Sequence, residues 1–134
     1  MKKPVFVVDG SRTPFLKMRG TPGPFSAADL AVSAGRPLLL RQPFKATDLD
    51  EVIMGCAIPS PDEANIARIV GLRLGCGHKI SAWTVQRNCA SGMQAIDSAC
   101  YRIQNGDANL ILAGGTEVMS RSPLLWDSAL VAWF

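Results

Sequence analysis

Histidine, aromatic rings, long apolar runs and a dominant charge are all scarce in this 134-residue sequence. Lys and Arg number 14 against 11 Asp and Glu, a formal charge of +3, and the basic residues are scattered rather than gathered on one stripe. No electrostatic footprint for nucleic acid emerges. Aromatics make up 7% of the chain and are not interleaved with basic residues, which argues against a stacking platform for single strands. The apolar run Val5 to Val8 stops at Asp9, far short of the roughly 18 apolar residues a membrane span needs. Met1-Lys2-Lys3 therefore does not open a signal or membrane segment, and the expected location is cytoplasmic.

His78 is the only histidine, and no CxxC pair accompanies it, so the zinc spacings are missing. Cys56, Cys76, Cys89 and Cys100 stand 20, 13 and 11 positions apart. In a reducing compartment they are not expected to pair. Each thiol is then either a small buried hydrophobe or a reactive group. There is no GxGxxG or phosphate-loop string, and Gly114-Gly115 alone reads as close packing rather than as a phosphate cradle. No internal repeat or low-complexity tract is present.

What the chain does have is 48% apolar residues against 19% charged, enough for one packed core and too few residues for two. Val5-Phe6-Val7-Val8 reads as a buried first strand, and Gly20 to Pro24 as a loop. Ser26 with Asp29 resembles a weak capping box for a helix over 27–41, which Gly35 and Pro37 are expected to bend or split. A second apolar run covers Glu51 to Ile58. The next helix is expected to start with Ser60 as cap, Pro61 at its first position and Glu63 three residues on, and to end near Gly75. Ala82 to Val85 reads as a third strand, Ala90 to Asn105 as a third helix, and Leu110 to Ala113 as a fourth strand stopped by Gly114-Gly115. This βαβαβαβ alternation predicts an α/β fold with a largely parallel sheet covered by helices on both faces.

Cys89 stands where the third strand hands over to the third helix. Free N–H groups and the positive dipole end of a helix favour thiolate over thiol there, and ligands of open α/β sheets bind beyond the carboxyl ends of the strands. Ala90-Ser91-Gly92 are too small to shield the sulfur. Cys89, Met93, Ile96, Cys100 and Ile103 also step by four and three along one helix face. Spacing alone thus leaves two readings open, a nucleophile and the head of a core stripe.

Asn88-Cys89-Ala90-Ser91-Gly92-Met93-Gln94-Ala95 resembles the thiolase signature around the acyl-accepting cysteine. Arg12-Thr13-Pro14, Asn65-Ile66-Ala67-Arg68, and Gly114 to Ser120 with Pro123 are similar to other stretches of that family in the same order. The resemblance implies a thiolase-like fold, first half only, with residues 1–120 as an incomplete N-terminal α/β domain and 121–134 as the start of a loop region. That fold is a mostly parallel mixed sheet whose third helix is sandwiched between two sheets. It implies an acyl-CoA C-acyltransferase with Cys89 as nucleophile, acyl-CoA, acetyl-CoA and CoA as substrates, and no resident cofactor or metal. It also implies a homodimer or dimer of dimers, paired through the third strand.

In that family a histidine of a Gly-His-Pro string, a second cysteine of a Cys-x-Gly string and a water-holding asparagine complete the chemistry. None of the three has a match here, so the chain is expected to be a fragment inactive by itself. His78 reads as a surface-turn residue, Cys56, Cys76 and Cys100 as structural, Glu117 as a structural hydrogen-bond partner, and Asp9 and Arg12 as turn and ion-pair residues. The alternative is a non-catalytic α/β or dimerisation module.

Overall fold

The computed structural model describes residues 3–18 and 20–133. Helix α1 (Ala27–Leu40) leads to strand β1 (Glu51–Gly55), helix α2 (Ile66–Arg73), strand β2 (Ser81–Val85), helix α3 (Ser91–Gln104), strand β3 (Ile111–Gly115) and the short helix α4 (Ser128–Trp133). The three strands form one parallel sheet in the order β2-β1-β3. Each strand returns through a helix, so every carboxyl end lies on the same edge of the sheet.

Register decides the two faces. Val52 stands beside Ala82 and Leu112 and, with Met54, faces α1 and α2, where it joins Ala28, Ile66, Ala67 and Val70 in the larger core. Ile53 stands beside Trp83 and Ala113 and faces α3, packing on Ala95 and Ala99. All five residues of β1 are buried, as a central strand with helices on both sides requires.

Three local expectations give way. Val5 to Val8 forms no strand among the described residues, and Phe6, Val7 and Val8 are 79%, 88% and 68% exposed. The stretch is tied near its ends, by the Lys3 ammonium on Asn109 Oδ1 at 2.7 Å and by the Asp9 carboxylate on Arg41 at 2.7 Å. A β-prone run becomes a strand only where a partner's N–H and C=O groups meet it. Helix α1 runs unbroken through Gly35 and Pro37. Its amino end has a full Ser26–Asp29 capping box, and buried Gly35 packs closely against the Leu74 side chain of the α2 turn, so packing outweighs the one N–H that proline removes.

Helix α2 starts later than its cap signals suggest. Pro61–Glu63 is a separate 3-10 turn, and Asn65 is the cap, its Oδ1 accepting from Arg68 N–H at 3.2 Å. Glu63 instead reaches across to α1, accepting from the Ser26 hydroxyl and from Ala28 N–H at 3.3 Å. It serves the amino end of a different helix.

Candidate active site

The carboxyl ends of the strands converge on the amino end of α3, and glycines set how closely. A Cβ built on Gly55 would overlap the Ser91 carbonyl group and stand 2.5 Å from Gly92 N. One built on Gly115 would stand 3.0 Å from Gly92 Cα. Three main chains thus meet where only hydrogen atoms fit, as glycine permits. Cross-links fix the edge: Cys56 N–H donates to Val85 O at 3.1 Å and Thr116 N–H to Gly55 O at 3.0 Å.

From this edge residues 86–90 climb into α3. Ala90 N–H donates to Arg87 O at 3.0 Å and Ser91 N–H to Asn88 O at 3.1 Å. Arg87 N–H donates to the Ser91 hydroxyl at 2.8 Å, and that hydroxyl donates to Asn88 O at 2.7 Å. Asn88 takes φ 49°, the left-handed region that asparagine tolerates better than most residues. Gln86 Nε2 holds the Asn88 side chain at 3.2 Å and reaches Ala57 O at 3.3 Å. Cys89 rides on top of this turn, exposed.

The other thiols are placed differently. Cys56 and Cys76 are buried. Burial pushes the Cys56 thiol up to about 12, and the Glu117 carboxylate beside it adds to the shift; burial likewise raises Cys76. Both shifts disfavour the thiolate that a nucleophilic cysteine needs. Cys100 is part-buried, not the core residue its spacing suggests. The residues α3 buries are Ser91, Ala95 and Ala99, while Met93 and Ile96 are 70% and 44% exposed. The larger apolar residues therefore head outward, because glycine contact brings the helix too near the sheet for them.

Glu117 is a hydrogen-bond partner, accepting from Ala57 N–H at 2.7 Å and Ile58 N–H at 3.3 Å. His78 lies exposed in the turn after α2, where its carbonyl accepts from Arg68. Asp9 pairs with Arg41, and the guanidinium, with the Gly10 N–H and Gln42, holds its carboxyl well below the usual range. Arg12 donates to Thr13 O and lies over the Phe15 ring. Among the described residues no three His, Cys, Asp or Glu side chains gather as a metal site, and no helix is long and apolar enough to cross a membrane. A cleft of about 110 Å³ between Ser26, Ile58, Glu63 and Val118 does not include Cys89. Sequence reasoning singled out Cys89 as a candidate but overlooked Gly55 and the Ser91 hydroxyl, which fix the turn that carries it; a glycine inside an apolar strand was the available signal.

Residues 5–132 match the family model of the thiolase N-terminal domain. The chain belongs to the thiolase family. It is 39% identical over 130 residues to the 3-oxoadipyl-CoA/3-oxo-5,6-dehydrosuberyl-CoA thiolase of Escherichia coli, a match covering 96% of this chain and 32% of that protein. It is 43% identical over 120 residues to the mitochondrial 3-ketoacyl-CoA thiolase of Mus musculus, covering 89% of this chain and 30% of that one. Its thiolase fold superposes on the Bacillus anthracis acetyl-CoA acetyltransferase with a TM-score of 0.66 at 36% identity, over 81% of this chain and 29% of the other. A thiolase from Ascaris suum in complex with coenzyme A gives a TM-score of 0.73 at 26% identity, over 77% and 27%. This thiolase chain spans about a third of the length of the curated relatives it matches.

Proposed function

We propose that Cys89 is the acyl-accepting nucleophile of a thiolase-type acyl-CoA C-acyltransferase. The supporting observation is that Cys89 alone of the four cysteines is exposed, on a closed turn at the carboxyl edge of a parallel sheet and inside the string Asn88 to Ala95. In the first step its sulfur attacks the thioester carbonyl of an acyl-CoA. The acyl–sulfur bond to CoA breaks, an acyl thioester on Cys89 forms, and the proton lost by Cys89 ends on the CoA thiol. In the second step the bond between the Cys89 sulfur and the acyl carbon breaks as the acyl group passes to a CoA thiol, or to the α-carbon of an acetyl-CoA enolate with formation of a C–C bond, and the proton given up by that thiol or α-carbon ends on Cys89.

The proton-transfer strings Gly-His-Pro and Cys-x-Gly are not among these residues, so the proposal assigns this chain the nucleophile and no turnover by itself. CoA thioesters are substrates in this proposal, no resident cofactor is invoked, and the location is cytoplasmic. The assembly we infer is a homodimer or dimer of dimers, supported by β2 standing at the end of the strand order.

The test is incubation with acetyl-CoA followed by intact-mass and peptide mapping. One acetyl group on Cys89, abolished by Cys89→Ser, is expected. No acetyl group on Cys89, or equal labelling of Cys89 and Cys100, refutes the proposal and favours the non-catalytic α/β module.

A further inference from the structure

We propose that Ser91 is the positioning residue for Cys89, its hydroxyl holding closed the turn on which the thiol rides; this rests on Cys89 being the nucleophile. Ser91 is 4% exposed, and its hydroxyl is engaged on both sides, accepting from Arg87 N–H at 2.8 Å and donating to Asn88 O at 2.7 Å. Its main chain is fixed as well. The Ser91 N–H donates to Asn88 O at 3.1 Å, and its carbonyl group lies against Gly55 with no room for a Cβ between. One residue is thus anchored on β1 through its backbone and on the turn through its side chain, two positions after the nucleophile.

The two bonds to the Asn88 carbonyl also hold that residue at φ 49°. The Ser91 hydroxyl proton is committed to Asn88 O, so the group takes no part in proton transfer and acts on Cys89 through the chain. A sulfur carried on a fixed turn meets an electrophile from one direction, whereas a loosened turn spreads it over many, and small misplacements of a reacting group reduce rates steeply.

Three variants test this: Ser91→Ala, Ser91→Gly and Ser91→Thr. Each is alkylated with iodoacetamide at one pH near neutral, with rates at Cys89 and Cys100 read by peptide mass and thermal melts run alongside. Ser91→Ala is expected to slow Cys89 on the order of tenfold while leaving Cys100 unchanged. Ser91→Thr keeps the hydroxyl and the rate to within about twofold. Ser91→Gly, which also lacks the hydroxyl and adds no bulk, is expected to slow Cys89 as Ser91→Ala does. A folded Ser91→Ala alkylating Cys89 at the parent rate overturns the proposal, as does a slowing in Ser91→Thr equal to that in Ser91→Ala. Should Ser91→Ala not fold, the other two decide: a slowed Ser91→Gly beside a Ser91→Thr at the parent rate sustains the proposal, and any other pattern overturns it. Failure of the nucleophile assignment looks different, since the parent Cys89 then reacts no faster than a free small-molecule thiol.

Discussion

Of the glycines, Gly55 has the closest backbone against a would-be Cβ, and Gly55→Ala is the change that tests it most directly. The added Cβ would overlap the Ser91 carbonyl carbon and oxygen and stand 2.5 Å from Gly92 N, where carbon contacts normally settle at about 3.5 Å or more. The obstruction is backbone on both counts, so no side chain can swing away and the amino end of α3 must move by roughly 1 Å. Overpacking of this kind costs about 1 to 3 kcal/mol. The absence of a flexible neighbour puts Gly55→Ala at the upper end, about 3 kcal/mol, which for a chain of this size lowers the melting temperature by roughly 10 °C.

Gly114→Ala is the control, because its added Cβ meets only the flexible end of Met54, at 3.5 and 3.7 Å. It should stay within about 1 kcal/mol of the parent. Circular dichroism melts compare the two, and iodoacetamide alkylation reports Cys89, which Gly55→Ala should slow. A Gly55→Ala chain melting within about 2 °C of the parent with an unchanged Cys89 rate would refute the claim that glycine contact sets the position of α3.

Glu51→Ala removes a 3% exposed carboxylate that accepts from Trp83 Nε1 at 2.9 Å and Arg102 Nε at 3.1 Å. It should cost about 2 kcal/mol in urea unfolding, against under about 1 kcal/mol for Asp107→Ala on the exposed side of the same arginine; equal losses would contradict the network. Because the Cys56 thiol is raised from 9.0 to about 12, the unfolded chain loses its proton first. The stability it contributes is complete below about pH 9 and is lost as pH rises through 12. Unfolding at pH 10 should be easier by roughly 1 kcal/mol from this group, and Cys56→Ala should flatten the dependence; a slope unchanged in that variant rules the thiol out as its source. Ile96→Lys on the outward face of α3 should leave stability within about 0.5 kcal/mol and reduce self-association in sedimentation, whereas Ala95→Lys, at a fully buried site, should not fold. Unfolding by Ile96→Lys would show that the outward face has a partner inside the chain.

Much of the layout was legible because the residues concerned decide it locally. The strands β1 to β3 carry apolar residues at successive positions, as in Val52 to Met54 and Ile111 to Ala113, and a parallel central sheet needs such runs. The Ser26–Asp29 box gave the start of α1. What was not legible depends on partners distant in sequence. Val5 to Val8 has strand composition, yet pairing is a property of two segments. Ser60, Pro61 and Glu63 carry the signals of a helix start, but Glu63 is drawn to the amino end of α1, so α2 uses Asn65.

The candidate site divides in the same way, and one cause explains both halves. Periodicity in α3 picks out its large apolar residues and assigns them to the core. The sheet takes Ser91, Ala95 and Ala99 instead, since Gly55 and Gly115 let the helix start come so near that only small side chains fit beneath it. Once the small face is turned inward, the stripe of Met93 and Ile96 must point away from the sheet. Cys89 precedes the helix and stands exposed on the turn that leads into it. The uncovered apolar face of α3 is therefore a consequence of the glycine contacts at Gly55 and Gly115, and a helix apolar on both sides is one built to pack against two surfaces.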